Sequence, residues 1–189
     1  FAVAAVLGLL MALARRSDNK WISMPVGAVV EFIRSTPLLV QLFFMFYVLP
    51  RYGLRLPPFI VGTVALGLHY GTYASEVYRA GIDAIGRGQW EAARALNFST
   101  AHTWTGIILP QAIPPMLPAL GNYLIAMFKE SAQLAAITVP ELLFTGRVLG
   151  TRNFRYLVPI TMVGALYFAI SYPSSLIVRQ LEARYARAT

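Results

Sequence analysis

Long stretches without Asp, Glu, Lys or Arg are the feature that most limits what this chain can fold into. Five of them are predicted to form membrane helices, at residues 1–14, 35–50, 56–75, 114–128 and 156–178. A helix that crosses the roughly 30 Å hydrocarbon core of a bilayer needs about 20 residues. Because the first stretch is shorter than this, we expect it to be the end of a truncated helix. The pattern predicts an all-α membrane protein with five transmembrane helices in a single domain, residues 1–189.

The composition supports lipid as the solvent for much of the surface. The chain of 189 residues is 57% hydrophobic and 13% charged, whereas soluble domains contain about 25% charged residues. The net charge of +8 is spread along the chain without a dense basic run, so nucleic-acid binding is not indicated. The absence of Cys excludes disulfides and thiolate metal sites.

The distribution of basic residues predicts the orientation in the membrane. Ten of the 16 Lys and Arg residues, Arg187 included, fall on the side of the 79–106 loop and the carboxyl end. Since cytoplasmic loops carry an excess of Lys and Arg, that side is predicted to be cytoplasmic and the amino terminus to lie outside. Residues 15–34 place charges around a short apolar stretch, which favours a helix in the membrane interface.

The segment from Gln89 to Pro110 carries the most specific pattern, QWEAARALNFSTAHTWTGIILP. It resembles the EAA loop of bacterial ABC-importer permeases: EAA, three residues, Gly, nine residues, Ile, one residue, Leu-Pro. Six of the seven fixed positions match, and Asn97 stands in place of Gly. The resemblance implies that a cytoplasmic loop, about 79–110, couples to an ATPase through Gln89, Glu91, Ala92, Ala93, Asn97, Ile107, Leu109 and Pro110.

Further segments resemble the polar amino-acid subfamily, the histidine, glutamine, arginine and opine permeases. Residues 34–42, RSTPLLVQL, are similar to its RGTPLLVQ stretch, with Ser35 in place of Gly. Residues 74–79, 120–122, 129–131 and 139–143 match other landmarks of the subfamily. The resemblance therefore covers nearly the whole chain.

Local physical chemistry agrees with the role that the resemblance implies for the loop. Residues 91–96 are rich in Ala and predict a short helix. Asn is the residue that best replaces Gly in a left-handed turn, so Asn97 can end this helix. Ser99 can then cap a second short helix that runs through His102 and Trp104. Two short helices joined by a tight turn would make a compact knob, which in the family sits in a groove of the ATPase.

The resemblance also implies a fold, a location and partners. It implies the five-transmembrane-helix fold of ABC type I importer permeases, in a multi-pass protein of the bacterial plasma (inner) membrane. The expected partners are the lipid bilayer, a second permease, two ATP-binding-cassette ATPases and a soluble substrate-binding protein. Those ATPases would use ATP and Mg, so we expect this chain to bind no cofactor and to be a transport subunit without catalytic residues. The sequence contains no P-loop and no GxSxG pattern.

Polar residues within the predicted helices are candidates for a substrate pathway, because such groups are costly in lipid. His69, Tyr73 and Glu76 share one helical face, although Glu76 could simply pair with Arg79. The remaining candidates lie on other predicted helices: Gln41, Lys129 and Glu130.

Each of these remaining candidates has an alternative interpretation. Lys129 and Glu130 could bind the two charges of a zwitterion, or could make ion pairs at the end of a helix. Gln41 could line the pore or join two helices.

The sequence leaves the transported solute open. Arginine, glutamine and ectoine-type compatible solutes all fit polar helices, and the permease pair could be a homodimer or a heterodimer. An ion-coupled secondary transporter or channel is the alternative, but it has no use for a docking motif of this pattern. An intramembrane enzyme or metal site would need convergent ligands, whereas the chain has two His and no Cys.

Overall fold

The structure is a computed structural model that describes residues 1–186. The described residues form helices and contain no strand. Arg187 and the last residues of the predicted domain lie outside this range. The all-α architecture predicted from the sequence is confirmed.

The helices follow one another in chain order. The longer ones are α1 (Ala2–Arg15), α2 (Lys20–Arg34), α4 (Pro58–Asp83), α7 (Leu109–Glu130), α8 (Leu142–Asn153) and α9 (Leu157–Ala186). The shorter ones are α3 (Leu38–Phe43), α5 (Arg87–Ala95) and α6 (Thr100–His102). A π-helical and a 3₁₀ segment prolong α3 to Tyr52, a π-helical segment joins α6 to α7, and a 3₁₀ helix, Ser131–Ile137, follows α7.

Helix α4 lies at the centre of the fold, packed against α1, α2, α3 and α7. Helix α1 approaches it closely because small residues face each other along the contact. A Cβ added at Gly8 would lie 2.7 Å from the carbonyl oxygen of Gly71 and 2.8 Å from Cβ of Ala74. Both distances are too short for non-bonded atoms, so the α1–α4 packing requires Gly at position 8.

Helix α2 and the helical segment 38–52 are bent by 104° relative to each other at residues 35–37. Pro37 explains the break, because a residue before proline is driven out of the helical region. The interfacial position expected for residues 15–34 stays a prediction.

Helix α7 begins earlier than the sequence predicted. The expected start was near Pro114, whereas helical structure runs without a gap from Thr100 to Glu130. Pro114, Pro115 and Pro118 lie inside α7. Membrane proteins tolerate such prolines because neighbouring helices and side chains satisfy the freed carbonyl groups.

By length and composition, one described helix, Leu157–Tyr185, could cross a membrane alone. Up to three crossings result if each of the two bent helix pairs counts as one, the second pair being Thr100–Ile137 with α8. The five crossings expected from the sequence stay a prediction.

Candidate functional site: a coupling knob and a polar cavity

Helix α5 ends in a left-handed turn at Asn97, as the sequence predicted. Asn97 has a φ of 59°. Its N–H donates to the carbonyl of Arg94 at 3.0 Å, and the N–H of Phe98 donates to the carbonyl of Ala93 at 3.1 Å. These two bonds form the Schellman arrangement, in which the residue after the cap takes positive φ.

The second predicted cap is also present. The Ser99 hydroxyl accepts a hydrogen bond from the backbone N–H of His102 at 3.2 Å, which satisfies a donor of the first turn of α6. The rings of Phe98 and His102 pack edge to face with their centroids 4.7 Å apart. We call residues 87–110 the coupling knob.

Two tryptophans fasten the coupling knob to the helix bundle. The rings of Trp90 and Trp104 meet edge to face at 5.2 Å. Both pack on an apolar cluster formed by Ile82 of α4 with Ala112 and Met116 of α7. The knob is therefore in direct contact with two long helices, so a displacement of the knob would be transmitted to both.

The outer surface of the knob carries the acidic residue of the motif and two exposed apolar side chains. Glu91 and Ala92 are exposed, and Leu96 and Phe98 are 66% and 41% exposed. Ala93, in contrast, is buried against the bundle. The outer surface of the knob therefore presents both charged and apolar groups to its surroundings.

The other predicted coupling residues connect the knob to α7. The Gln89 side-chain oxygen accepts from the Gln111 amide at 3.3 Å. Ile107 and Leu109 are half-buried. Pro110 is the second residue of α7. The assignment of all these residues to ATPase coupling stays a prediction.

The turn at Asn97 can be tested by substitution. Asn97→Gly is expected to leave thermal stability within about 0.5 kcal/mol, since Gly adopts positive φ freely. Asn97→Val is expected to cost about 1–2 kcal/mol, because left-handed backbone brings its Cβ too close to a carbonyl oxygen. Thermal unfolding of the purified membrane protein measures both. Arg94→Val, in the regular part of α5, is the control, and an equal loss there would contradict the explanation.

A polar cavity of about 550 Å³ lies where the break after α2 meets α4 and the end of α7. Pockets for small molecules typically measure about 300–1,000 Å³. Its polar and charged lining side chains come from four segments: Arg34, Ser35, Thr36, His69, Tyr73, Glu130 and Gln133. His69 lies about 17 Å from the start of α4, well inside the predicted membrane helix.

Three side-chain atoms at this cavity are buried without a hydrogen-bond partner among residues 1–186. They are Oε2 of Glu130, Oε1 of Gln133 and Nε of Arg34. Buried polar groups are nearly always satisfied, and an unmade bond costs about 1–3 kcal/mol. A donor for Glu130 and Gln133, together with an acceptor for Arg34, would satisfy all three.

Gln41 holds His69 in place. Its amide nitrogen donates across the break to the carbonyls of Ile33 at 2.8 Å and Thr36 at 3.1 Å. Its oxygen lies 3.3 Å from Nδ1 of His69. Because that oxygen can only accept, Nδ1 is the donor. Gln41 itself lines a separate, largely apolar cavity of about 330 Å³.

Aromatic rings border the polar cavity. The Tyr73 ring lies 5.3 Å from the His69 ring and 5.5 Å from the Tyr123 ring, centroid to centroid. The Arg34 guanidinium carbon lies 5.3 Å from the centre of the Tyr73 ring, within the range of a cation–π contact. The predicted face of α4 thus brings His69 and Tyr73 to one cavity.

Glu76, one turn beyond Tyr73, receives hydrogen bonds from three arginines. Arg79 donates through Nη2 at 2.8 Å, as the sequence predicted, and Arg34 through Nη1 at 3.3 Å. Arg15 of α1 is the third partner. The carboxylate therefore ties α1, α2 and α4 together.

Lys129 and Glu130 line different cavities. Lys129 is exposed and lines a cavity of about 320 Å³ between α7 and α9, together with Tyr167, Phe168 and Ser171. Adjacent residues on a helix point about 100° apart, which explains the separation.

Comparison with known proteins decides the family. Residues 4–187 of the sequence match the family described as the inner membrane component of binding-protein-dependent transport systems. The chain belongs to this family. It is accordingly a membrane component of a transporter, as the resemblance implied.

Several permeases are similar to this one over most of their length. A probable amino-acid ABC transporter permease of Sinorhizobium fredii is 47% identical over 182 residues, which are 96% of this chain and 79% of the relative. The L-cystine transport system permease of Bacillus subtilis is 36% identical over 188 residues, 99% and 80% of the two chains.

Solved structures confirm the fold predicted for this permease. A crystal structure of an amino acid ABC transporter with histidines matches with a TM-score of 0.88 and 37% identity, over 97% of this chain and 86% of the other. An inward-facing methionine ABC transporter matches with a TM-score of 0.68 at 21% identity, over 96% and 87% of the chains, and shares the fold. The ABC type I importer permease fold is therefore confirmed.

Four polar residues that line the cavity are not among the predicted pathway residues: Arg34, Ser35, Thr36 and Gln133. The sequence pattern places Arg34 in the membrane interface, because it does not show that the chain bends by 104° after this residue. Gln133 lies in the 3₁₀ helix, three residues after Glu130. Its i, i+3 spacing from Glu130 was the one available signal.

Proposed function

We propose that this permease forms half of the import pathway for polar amino acids, and that the polar cavity is part of that pathway. The main support is one oxygen of Glu130, which is buried without a partner in the described part of the chain and faces a cavity that Arg34 also lines. A zwitterion offers an ammonium group to the carboxylate of Glu130 and a carboxylate to the guanidinium of Arg34. Two relatives, a probable amino-acid permease and an L-cystine permease, support the same class of substrate.

The pathway residues that we propose are His69, Tyr73 and Glu130 at the cavity, with Gln41 orienting His69. We also propose Lys129, whose exposed side chain would meet a second permease or the pore between two permeases. Residues 1–189 would act as one permease domain that crosses the membrane several times. Two ATPases, a binding protein and a second permease would complete the transporter, and the ATPases, not this chain, would hold ATP and Mg.

The coupling that we propose runs along two helices. Helix α4 contacts the knob at Ile82 and carries His69, about 20 Å away along the helix axis. Helix α7 contacts the knob at Met116 and carries Glu130, about 21 Å away. Closure of the ATPases on the knob would therefore move two walls of the cavity together, which is what alternating access requires.

Reconstitution tests this function. The permease, its cognate ATPase and its binding protein would be placed in proteoliposomes with ATP inside, and uptake of labelled polar amino acids and of ectoine measured. We expect saturable uptake of an amino acid that stops when ATP is replaced by a non-hydrolysable analogue. Uptake of ectoine alone would overturn the substrate class. Uptake driven by an ion gradient without ATP would overturn the importer assignment.

The proposed orientation predicts a labelling result. A Cys placed at Ser99 in the coupling knob should resist an impermeant maleimide in intact spheroplasts and react after permeabilisation. A Cys at exposed Tyr52, the last residue of the helical segment 38–52, should react in both conditions. The chain has no native Cys, so no background has to be removed. Labelling of position 99 from outside would contradict the orientation.

A further inference from the structure

The end of α2 brings one arginine to the polar cavity. Arg34 is the last residue of α2, directly before the break at residues 35–37. Among the described residues that line the cavity it is the one permanent cation. Its Nε is buried without a partner, while Nη1 contacts Glu76 at 3.3 Å. Glu76 therefore holds the guanidinium at Nη1, while the hydrogen-bond donor at Nε stays unsatisfied.

Glu76 does not depend on Arg34 for its charge balance. Its Oε2 accepts from Nη2 of Arg79 at 2.8 Å and from Nε at 3.2 Å. Its Oε1 is also bonded by Arg15. A carboxylate has about four acceptor positions, and Arg15 and Arg79 would still occupy three of them without Arg34. Arg34 can thus turn toward a second carboxylate without leaving Glu76 unpaired.

The local charges favour an anion beside Arg34. The guanidiniums of Arg15, Arg34 and Arg79 surround the single carboxylate of Glu76. Asp83 offsets part of this excess, but it also pairs with Arg16. The other acidic partner of Arg34, Glu31, is 73% exposed and lies at 4.0 Å, so solvent screens it. The wall of the cavity around Arg34 is therefore positive, and it lies opposite the carboxylate of Glu130.

We propose that Arg34 binds the α-carboxylate of the transported amino acid, while Glu130 binds its ammonium group, and that Glu76 positions Arg34 when the cavity is empty. This inference rests on the function proposed above. The arginine fork can bind a carboxylate through two parallel hydrogen bonds, and the free Nε supplies one of the donors. The guanidinium carbon also lies 5.3 Å from the centre of the Tyr73 ring, a cation–π contact at the same cavity.

The assignment is tested by comparing how each of several variants binds an amino acid and the corresponding carboxamide. The permease–ATPase complex in nanodiscs is titrated with L-arginine, L-glutamine and L-histidine, and with the α-carboxamide of each, at pH 6.5. Both ligands of a pair then carry the ammonium group, and they differ in the charge of the carboxylate. The readout is the ratio of the two dissociation constants, which a purely structural role of Arg34 would not change.

In the unmodified complex we expect the acid to bind at least about tenfold more tightly than the amide, as for other charge-assisted hydrogen bonds. Arg34→Gln should reduce this ratio to within about twofold. Glu130→Gln should weaken acid and amide alike and leave the ratio unchanged. Arg16→Gln, an arginine paired with Asp83 rather than placed at the cavity, is the matched control and should retain the full ratio.

A ratio that survives in Arg34→Gln would overturn the role of Arg34 and leave the proposed function intact. Failure of the unmodified complex to bind any of the three amino acids would instead overturn the cavity as substrate site. If Arg34→Gln does not assemble, Arg34→Lys replaces it. A lysine supplies a point charge without the fork, so the ratio should fall at least about threefold, and an unchanged ratio would refute the proposal.

Discussion

Replacing Glu91 by Lys is expected to abolish coupled transport while the permease still inserts into the membrane. Glu91 is exposed in the middle of α5, and none of the hydrogen bonds found among residues 1–186 uses its side chain. Substitutions at such surface positions change stability by about 0.5 kcal/mol or less. Reversal of a charge in a buried contact with another subunit costs about 2–5 kcal/mol, so association with the ATPase should weaken at least about 30-fold.

The measurement is copurification of the ATPase with the tagged permease, together with uptake in proteoliposomes. Asp18→Lys is the control, because Asp18 is an exposed acidic residue between α1 and α2 and lies outside the knob. It should leave both quantities near those of the unmodified protein. Normal ATPase copurification and normal uptake in Glu91→Lys would show that the knob is not the docking element.

Glu130→Gln is expected to reduce uptake per assembled complex by about 10- to 100-fold, the value of a hydrogen bond to a charged group. The substitution keeps the shape of the side chain and removes its negative charge. Since Oε2 has no partner among the described residues, an amide nitrogen at that position breaks no hydrogen bond. Thermal stability should stay the same or rise, because a buried charge is removed. A structural role would instead lower the amount of complex in proportion to uptake.

The neighbouring position provides a comparison for this result. Lys129→Met should also lower uptake per assembled complex if the α7–α9 cavity belongs to the pathway, as we propose. Loss of complex in proportion to uptake would make Lys129 a structural residue. Because Lys129 and Glu130 line different cavities, their effects on substrate affinity should be separable: only Glu130→Gln should raise the substrate dissociation constant of the complex.

The sequence was most reliable where interactions are local. The turn at Asn97 and the Ser99 cap join residues at most five positions apart. Their geometry follows from backbone preferences and from unpaired helix-end groups, which neighbouring residues satisfy. The spacing of His69 and Tyr73 on α4 is local in the same sense, and the structure brings both side chains to one cavity.

The start of α7 shows where local rules were insufficient. The polar residues between Asn97 and Thr103 led to a predicted membrane helix that begins only near position 114. The packing of Trp104 and Met116 against Ile82 supplies contacts that the sequence pattern does not reveal. Tertiary contacts therefore outweighed the local preference, as they commonly do for helix propensity.

The sequence by itself indicated that much of the surface lies in lipid. It also indicated the family and the turn that shapes the coupling knob. These follow from the lack of charges, from a spaced motif and from interactions within a few residues. Only the tertiary structure decided that Arg34 reaches the polar cavity and that Lys129 and Glu130 face different ones. The reason is geometric: a bend of 104° redirects one helix, and a single residue turns a side chain by about 100° around another.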